Sequence, residues 1–243
     1  MQATFAGKSI LVTGANRGLG QALVEELLRR GAQRVYAGTR QPIIVGDERV
    51  ANVTLDVTDP AQIQAATDGV GSLDILINNA GVSVPDDLTD RSAFERHLAV
   101  NLYGTLDVTQ AFLPLLTRSH GAVINIVSLG AVAAVPVLPA YSVSKAASLS
   151  LTQSLRALLT ARGVSVYAVM PGPIDTDMVR ALEIPKTPPL DVARATLDLI
   201  EQGEEDVFPD PMSAPLAERW RTSPVKDMER QNAALVGSQP IAA

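Results

Sequence analysis

A phenol and an amine stand four residues apart in the run Tyr141-Ser142-Val143-Ser144-Lys145. On a helix, that spacing puts both side chains on one face. A tyrosine with an ordinary pKa near ~10 is a poor proton carrier at neutral pH, and an ammonium beside it favours the phenolate. Such a pair suits proton exchange, which works best when the pKa of the donor lies near the working pH. Ser128 falls thirteen residues earlier, directly after the apolar run 122–127. A hydroxyl there can hydrogen-bond a carbonyl oxygen and hold it for protonation. Singly, these residues are more often a half-buried helix pair and a strand-end hydroxyl, so the argument for chemistry rests on their joint presence.

A second constellation lies near the start of the chain. Thr13-Gly14-Ala15-Asn16-Arg17-Gly18-Leu19-Gly20 follows the apolar run 8–13 and leads into residues 21–28, rich in good helix formers. Glycines in such a turn let the backbone approach a pyrophosphate, and the helix N-terminus offers unpaired N–H groups to the anion. In dinucleotide folds a residue about 20 positions further on reads the adenosine ribose, an acid favouring a free 2′-hydroxyl and an arginine a 2′-phosphate. Here that strand ends Ala37-Gly38-Thr39-Arg40, with no acid in reach. Arg40, with Arg17 as a second cation, suits a 2′-phosphate, so NADP(H) is expected over NAD(H). The cationic nicotinamide of the oxidised cofactor would lower the Tyr141 pKa further. Asp56 is placed to meet an adenine amino group, while Asp59 before Pro60 reads as a helix N-cap.

These residues need a frame, and the hydrophobic pattern supplies one. Strands are expected at 8–13, 34–38, 52–57, 74–77, 122–127, 164–169 and 206–208, and helices near 19–30, 60–69, 92–117, 140–162 and 190–202. The alternation points to an α/β fold: a doubly wound, mostly parallel seven-stranded sheet with helices on both faces, Rossmann-like. Segment 40–49 is too short and too rich in Pro and Gly for a long helix. Prolines at 171, 173, 185, 188 and 189 mark a lid over about 173–190. The tail, 211–243, is charged and roughly helical over 214–235, and it carries the only tryptophan, Trp220.

Composition narrows the classes. At 243 residues and 47% hydrophobic the chain can bury one large core, so a single dinucleotide-binding catalytic domain, 1–243, is expected. A net charge of −6 without long same-sign blocks offers no footprint for nucleic acid. The lack of cysteine removes thiolate metal ligation, and the two histidines, His97 and His120, stand far apart, so no metal site is expected. Either histidine is expected to be a surface or satisfied group without a chemical task. The apolar stretch 121–141 is interrupted by Asn125, Ser128, Gly130, Pro136 and Pro139, which argues against a membrane span. Residues 1–14 lack a basic leader, and a cytoplasmic location is expected.

The glycine turn, Asn78-Asn79-Ala80-Gly81, Asn101 within Val100-Asn101-Leu102, Ser128, the Tyr141 to Lys145 run and Pro171-Gly172 occur in an order that resembles the motifs of the short-chain dehydrogenase/reductase family. They span 13–176, about two thirds of the chain. The resemblance implies hydride transfer between NADP(H) and a carbonyl or alcohol, with Asn101, Ser128, Tyr141 and Lys145 catalytic and Tyr141 the general acid/base. It implies that Lys145 also holds the nicotinamide ribose, and that Asn101 takes a bent or water-holding position linking Lys145 to solvent. Cofactor contacts are implied for Gly14, Asn16, Arg17, Gly18, Leu19, Gly20, Arg40, Asp56, Val57, Asn79, Ala80, Gly81, Tyr141, Lys145, Pro171, Gly172, Ile174 and Thr176. Asn78 and Asn79 are expected to fix the backbone beside the cofactor.

The substrate side is expected at Ser128, Leu129, Val137, Tyr141 and Met178, with Ala131, Val132, Val84 and Val179 nearby. That lining suits an apolar ketone, aldehyde or secondary alcohol. Many members end in a glycine-rich strand that joins subunits, whereas this chain reads Asp206-Val207-Phe208-Pro209-Asp210-Pro211. A dimer through the helices near 92–117 and 140–162 is therefore expected ahead of a tetramer. The competing functions are 3-oxoacyl reduction on a carrier protein and NADP-dependent regulation without turnover. Epimerase or lyase chemistry on a sugar nucleotide would need a larger C-terminal domain than the ~70 residues after Pro171.

Overall fold

The computed structural model describes residues 3–44, 46–180 and 183–237. Seven apolar runs pair into one parallel sheet: β1 (Ser9–Thr13), β2 (Arg34–Thr39), β3 (Val50–Thr54), β4 (Ile75–Asn78), β5 (Ala122–Ile126), β6 (Ser165–Val169) and β7 (Asp206–Val207). Their order is β3-β2-β1-β4-β5-β6-β7. Winding reverses between β1 and β4, and ligand crevices of open α/β sheets form beyond the strand ends at such a point. The expected Rossmann-like architecture is present.

Alternation along β1 explains the two layers. Ile10 and Val12 face one core with Leu19, Leu23 and Leu27 of α1 (Gly18–Arg29) and Val192, Leu197 and Ile200 of α6 (Pro189–Glu201). Leu11 faces the other, with Ile63 of α2 (Pro60–Gly69), Val108 and Phe112 of α4 (Thr105–Ser119), and Leu155 and Leu159 of α5 (Pro139–Thr160). Side chains two apart on a strand share a face, so one five-residue run serves both layers.

Most boundaries shift by no more than two residues from the sequence expectation. β3 lies at Val50–Thr54 rather than 52–57, because it pairs with β2 from Val35↔Val50 to Thr39↔Thr54. Beyond it, Thr58 donates its N–H to Asp56 Oδ1 at 2.9 Å and the chain turns away. β7 stops at Val207, one residue short of the expected end. The single helix expected at 92–117 is α3 (Arg91–Leu98), a widened turn at Ala99–Gly104 and α4, with helical backbone throughout. Gly104 allows this close passage, since a Cβ there would sit 2.7 Å from Val57 Cγ2.

The tail folds into α7 (Ala217–Arg221) and α8 (Pro224–Ala234). Charge docks it: Lys226 Nζ lies 2.7 Å from Asp206 Oδ2 and 3.0 Å from Glu229, Arg156 of α5 pairs with both acids, and Trp220 Nε1 donates to Asp206 at 2.8 Å. Burial of these ions is tolerated because each is paired and hydrogen-bonded. The segment expected as a lid is clasped at its base, where Asp175 N–H donates to Thr187 O and Thr187 N–H to Pro173 O, both at 2.9 Å. Of the expected lid and tail, Ala181, Leu182 and residues 238–243 lie outside the described residues. Among the described residues no helix is long and apolar enough to cross a membrane.

Candidate active site

Pro139 opens α5 at a position where its missing N–H costs nothing, which sets Tyr141 in the first turn and Lys145 one turn later. Ser128 leaves the end of β5 beside Tyr141, and its Oγ accepts the Gly130 N–H at 3.0 Å. Lys145 Nζ lies 5.8 Å from the centroid of the Tyr141 ring and donates to Ile126 O at 2.8 Å. The three side chains thus meet beyond the C-terminal end of β5.

The electrostatics correct one expectation. Burial pushes the Tyr141 phenol above its usual value, partly offset by the neighbouring Ser128 hydroxyl. Burial is the larger influence on the phenol, and the Lys145 ammonium is engaged by Ile126 O and lies over the Tyr141 ring. Lys145 is itself drawn down to about 8 by burial, being only 6% exposed. Here desolvation of the charged forms outweighs their mutual stabilisation.

Asn101 stands in the widened turn, the bent position implied for it. Its Nδ2 donates to Val82 O at 3.0 Å and Ser144 Oγ at 2.9 Å, and its Oδ1 accepts the Val82 N–H at 2.9 Å. Gly81 is squeezed between this amide and the lysine, since a Cβ would lie 3.3 Å from Asn101 Oδ1 and 3.7 Å from Lys145 Nζ. The carbonyl of Asn101 accepts from Ser148 Oγ and Thr105 Oγ1. A buried chain continues from there: Thr152 bonds Asn125, Asn125 bonds Asn78, and Asn78 bonds Thr109. Sequence reasoning missed all of these except Asn78. The available signal was Asn125, a polar residue inside the apolar run of β5.

The glycine turn fits a dinucleotide by shape and by donor set. A Cβ on Gly20 would lie 2.1 Å from Gly14 O, and one on Gly14 3.0 Å from Ala80 Cα, so side chains are excluded where β1, β4 and α1 converge. Gly14 and Gly18 take left-handed backbone, φ 66° and 55°. The first turn of α1 has neither a side-chain cap nor an acid, leaving its amides for an anion. Asn79 fixes the turn by donating Nδ2 to Thr13 O at 2.9 Å and Gly14 O at 3.2 Å, and Thr13 Oγ1 accepts the N–H groups of Asn79 and Ala80. Arg40 is exposed, and its charge holds the Asp56 carboxyl down, behind the larger effect of the Thr58 backbone hydrogen bond.

Other expected contacts are placed differently. Arg17 pairs with Asp177 across the cleft at 2.9 Å, beside Thr176, which packs on Gly18. Val57 and Leu19 turn their side chains into the cores, leaving only backbone for a ligand. Asn16 is exposed, and Ile174 pairs with Thr187 at the base of the lid. Leu129 and Ala131 pack on a core cluster with Val127, Leu149, Met170 and Phe208. Val132 lines an apolar cleft with Phe208 and Trp220 on the tail side. Val137 and Met178 remain open to solvent.

Asp210, within the segment that departs from the family ending, was not foreseen. Buried, it accepts the Gly172 N–H at 2.8 Å, the Met212 and Ser213 N–H groups, and the Ser213 hydroxyl. It thereby clamps the Pro171–Gly172 turn after β6. Asp210→Ala leaves those donors unpaired, and chemical denaturation is expected to show a loss of about 3 kcal/mol, in the range for hydrogen bonds to a buried charge. A loss below ~1 kcal/mol would show that the clamp is dispensable.

With this geometry in place, likeness to known proteins defines the class. The model of the short chain dehydrogenase family matches residues 8–186. A crystal structure of a short chain dehydrogenase from Burkholderia cenocepacia, in complex with NADP, is 35% identical with a TM-score of 0.86, covering 94% of this chain and 98% of that one. The 3-oxoacyl-[acyl-carrier-protein] reductase of Escherichia coli is 35% identical over 191 residues, 73% of this chain and 78% of the relative. Estradiol 17-beta-dehydrogenase 2 of Mus musculus is 34% identical over 194 residues, and the match spans about half the length of that relative, 51%. The chain belongs to the short-chain dehydrogenase/reductase family and is an oxidoreductase of that family.

Proposed function

We propose that this single-domain protein transfers a hydride between NADP(H) and the carbon of an apolar ketone, aldehyde or secondary alcohol, with Tyr141 exchanging the proton at oxygen. The observation that carries the reading is the meeting of the Ser128 hydroxyl, the Tyr141 phenol and the Lys145 amine, joined to the glycine turn through Gly81, Ala80 and Gly14. The bound dinucleotide supplies the hydride in reduction and accepts it in oxidation. Ser128 holds the carbonyl oxygen, and Tyr141 delivers its proton there as the oxygen becomes basic. Burial makes a phenolate costly, so the Lys145 ammonium matters most as the proton leaves and charge develops on the ring oxygen. Asn101 holds Val82, and so the Gly81 backbone, against Lys145.

The NADP(H) preference is supported by the exposed Arg40 and the absence of an acid at the end of β2. Arg17 is engaged by Asp177, which leaves discrimination mainly to Arg40. A carbonyl panel assayed with NADPH and NADH side by side tests the reading. Arg40→Ala is expected to raise KM for NADPH about 10-fold or more, the worth of one charge-assisted hydrogen bond, and to leave KM for NADH unchanged. An unaltered cofactor preference would remove Arg40 from the account. The Escherichia coli relative makes a 3-oxoacyl thioester on carrier protein a necessary member of the panel. We place a dimer interface on the outer surfaces of α5 and of the widened turn with α4, where Val143 and Tyr103 are exposed.

A further inference from the structure

His97 was expected to have no task, yet it is fully buried and ties three parts of the site together. Its Nε2 accepts the Val84 N–H at 3.1 Å and its Nδ1 meets Ala93 O at 2.8 Å. A backbone amide can only donate and a carbonyl can only accept, so the proton sits on Nδ1 and Nε2 is bare. The ring also stands edge-on to Tyr141, with centroids 6.4 Å apart and planes at 72°.

The segment leaving β4 is held at alternate residues. Asn101 pairs with both backbone groups of Val82, His97 takes the Val84 N–H, and Asp86 Oδ1 accepts the Ala140 N–H, one residue before Tyr141, at 3.3 Å. His97 near the end of α3 and Asn101 in the widened turn that follows are four apart along continuous helical backbone, which suits them to residues two apart on an extended chain. The helix thus takes the place of a neighbouring strand, and the pinned segment is fixed relative to the Tyr141 ring.

We propose that His97 is a positioning residue: by holding Val84 and buttressing Tyr141, it sets the gap between the phenol and segment 82–86, which forms one wall of the carbonyl site. The inference rests on the function proposed above for Tyr141. It concerns substrate fit, because His97 touches Val84 and Tyr141, the two sides of that gap.

Three substitutions separate the roles of the two nitrogens. His97→Gln keeps an acceptor near the Nε2 position, His97→Asn keeps a donor near Nδ1 but does not reach Val84, and His97→Leu keeps neither. With NADPH and the aryl methyl ketone that wild-type protein reduces best, Leu and Asn are expected to raise the ketone KM about 10-fold and leave KM for NADPH within about 2-fold, while Gln recovers most of the loss. Amide hydrogen exchange of segment 82–86, measured without substrate, is expected to quicken about 10-fold in Leu and Asn but not in Gln. Val84→Pro, which removes the N–H and leaves His97 intact, is expected to reproduce the ketone KM of His97→Leu, with no further loss in the double variant. Equal impairment of Gln and Leu, or unchanged exchange in Leu, overturns the proposal. Absence of ketone reduction by the wild-type protein would instead strike the functional reading, and the exchange comparison would still decide the role of His97.

Discussion

Tyr141→Phe is expected to lower kcat for carbonyl reduction by about 10²–10⁴-fold, the contribution of a positioned proton donor. The substitution removes one oxygen and keeps the ring, so the edge-on contact with His97 and the position of α5 should survive. The Ser128 hydroxyl keeps the hydrogen bond it accepts from the Gly130 N–H. The fold should therefore persist, as read by circular dichroism and melting temperature, while turnover collapses. A variant that kept its rate within about 10-fold of wild type would show that another group delivers the proton.

Lys145 carries the second large effect, and its sign with pH follows from burial. The amine is drawn down to about 8, so the ammonium that stabilises a developing phenolate is lost as pH rises through that value. Reduction is expected to fall with a one-proton dependence above about pH 8. Lys145→Met should lower kcat by about 10²-fold or more below about pH 8 and abolish that limb of the profile, so that the gap to wild type narrows as pH rises above it. Stability runs the opposite way. Because the folded pKa lies below the value of 10.5 for a free lysine, the unfolded chain binds the extra proton between about 8 and 10.5, and wild-type stability gains from this residue as pH rises across that window. Subtracting the Lys145→Met profile isolates the effect. A Lys145→Met curve parallel to wild type in both rate and stability would contradict the burial argument.

The strands and most helices were legible because periodicity and length suffice where a run is apolar on both sides. The chemistry-bearing residues were legible for a different reason: Tyr141 and Lys145, Ser128 and the glycine turn are local patterns in which spacing alone fixes a shared face or a strand end. What the linear sequence hid is non-local. Nothing near Asp210 signals that its carboxylate will bind Gly172, thirty-eight residues away. The pairing of His97 with Val84 joins residues thirteen apart through a connecting segment whose path no local propensity marks. The phenol pKa was misjudged for the same kind of reason. Helical spacing puts Lys145 beside the tyrosine, but only the fold shows that Ile126 O claims the ammonium and that burial acts on both groups.

The central claim is that a hydride moves to a carbonyl carbon while Tyr141 protonates the oxygen. The most direct test is a single turnover with NADPH deuterated at C4, the product alcohol being analysed by mass spectrometry for wild type and Tyr141→Phe. The expected result is deuterium at the carbinol carbon for one C4 epimer of the cofactor, with almost no labelled alcohol from the variant on the same timescale. Product alcohol formed without the label from both C4 epimers, or labelled alcohol appearing equally fast with Tyr141→Phe, would contradict it.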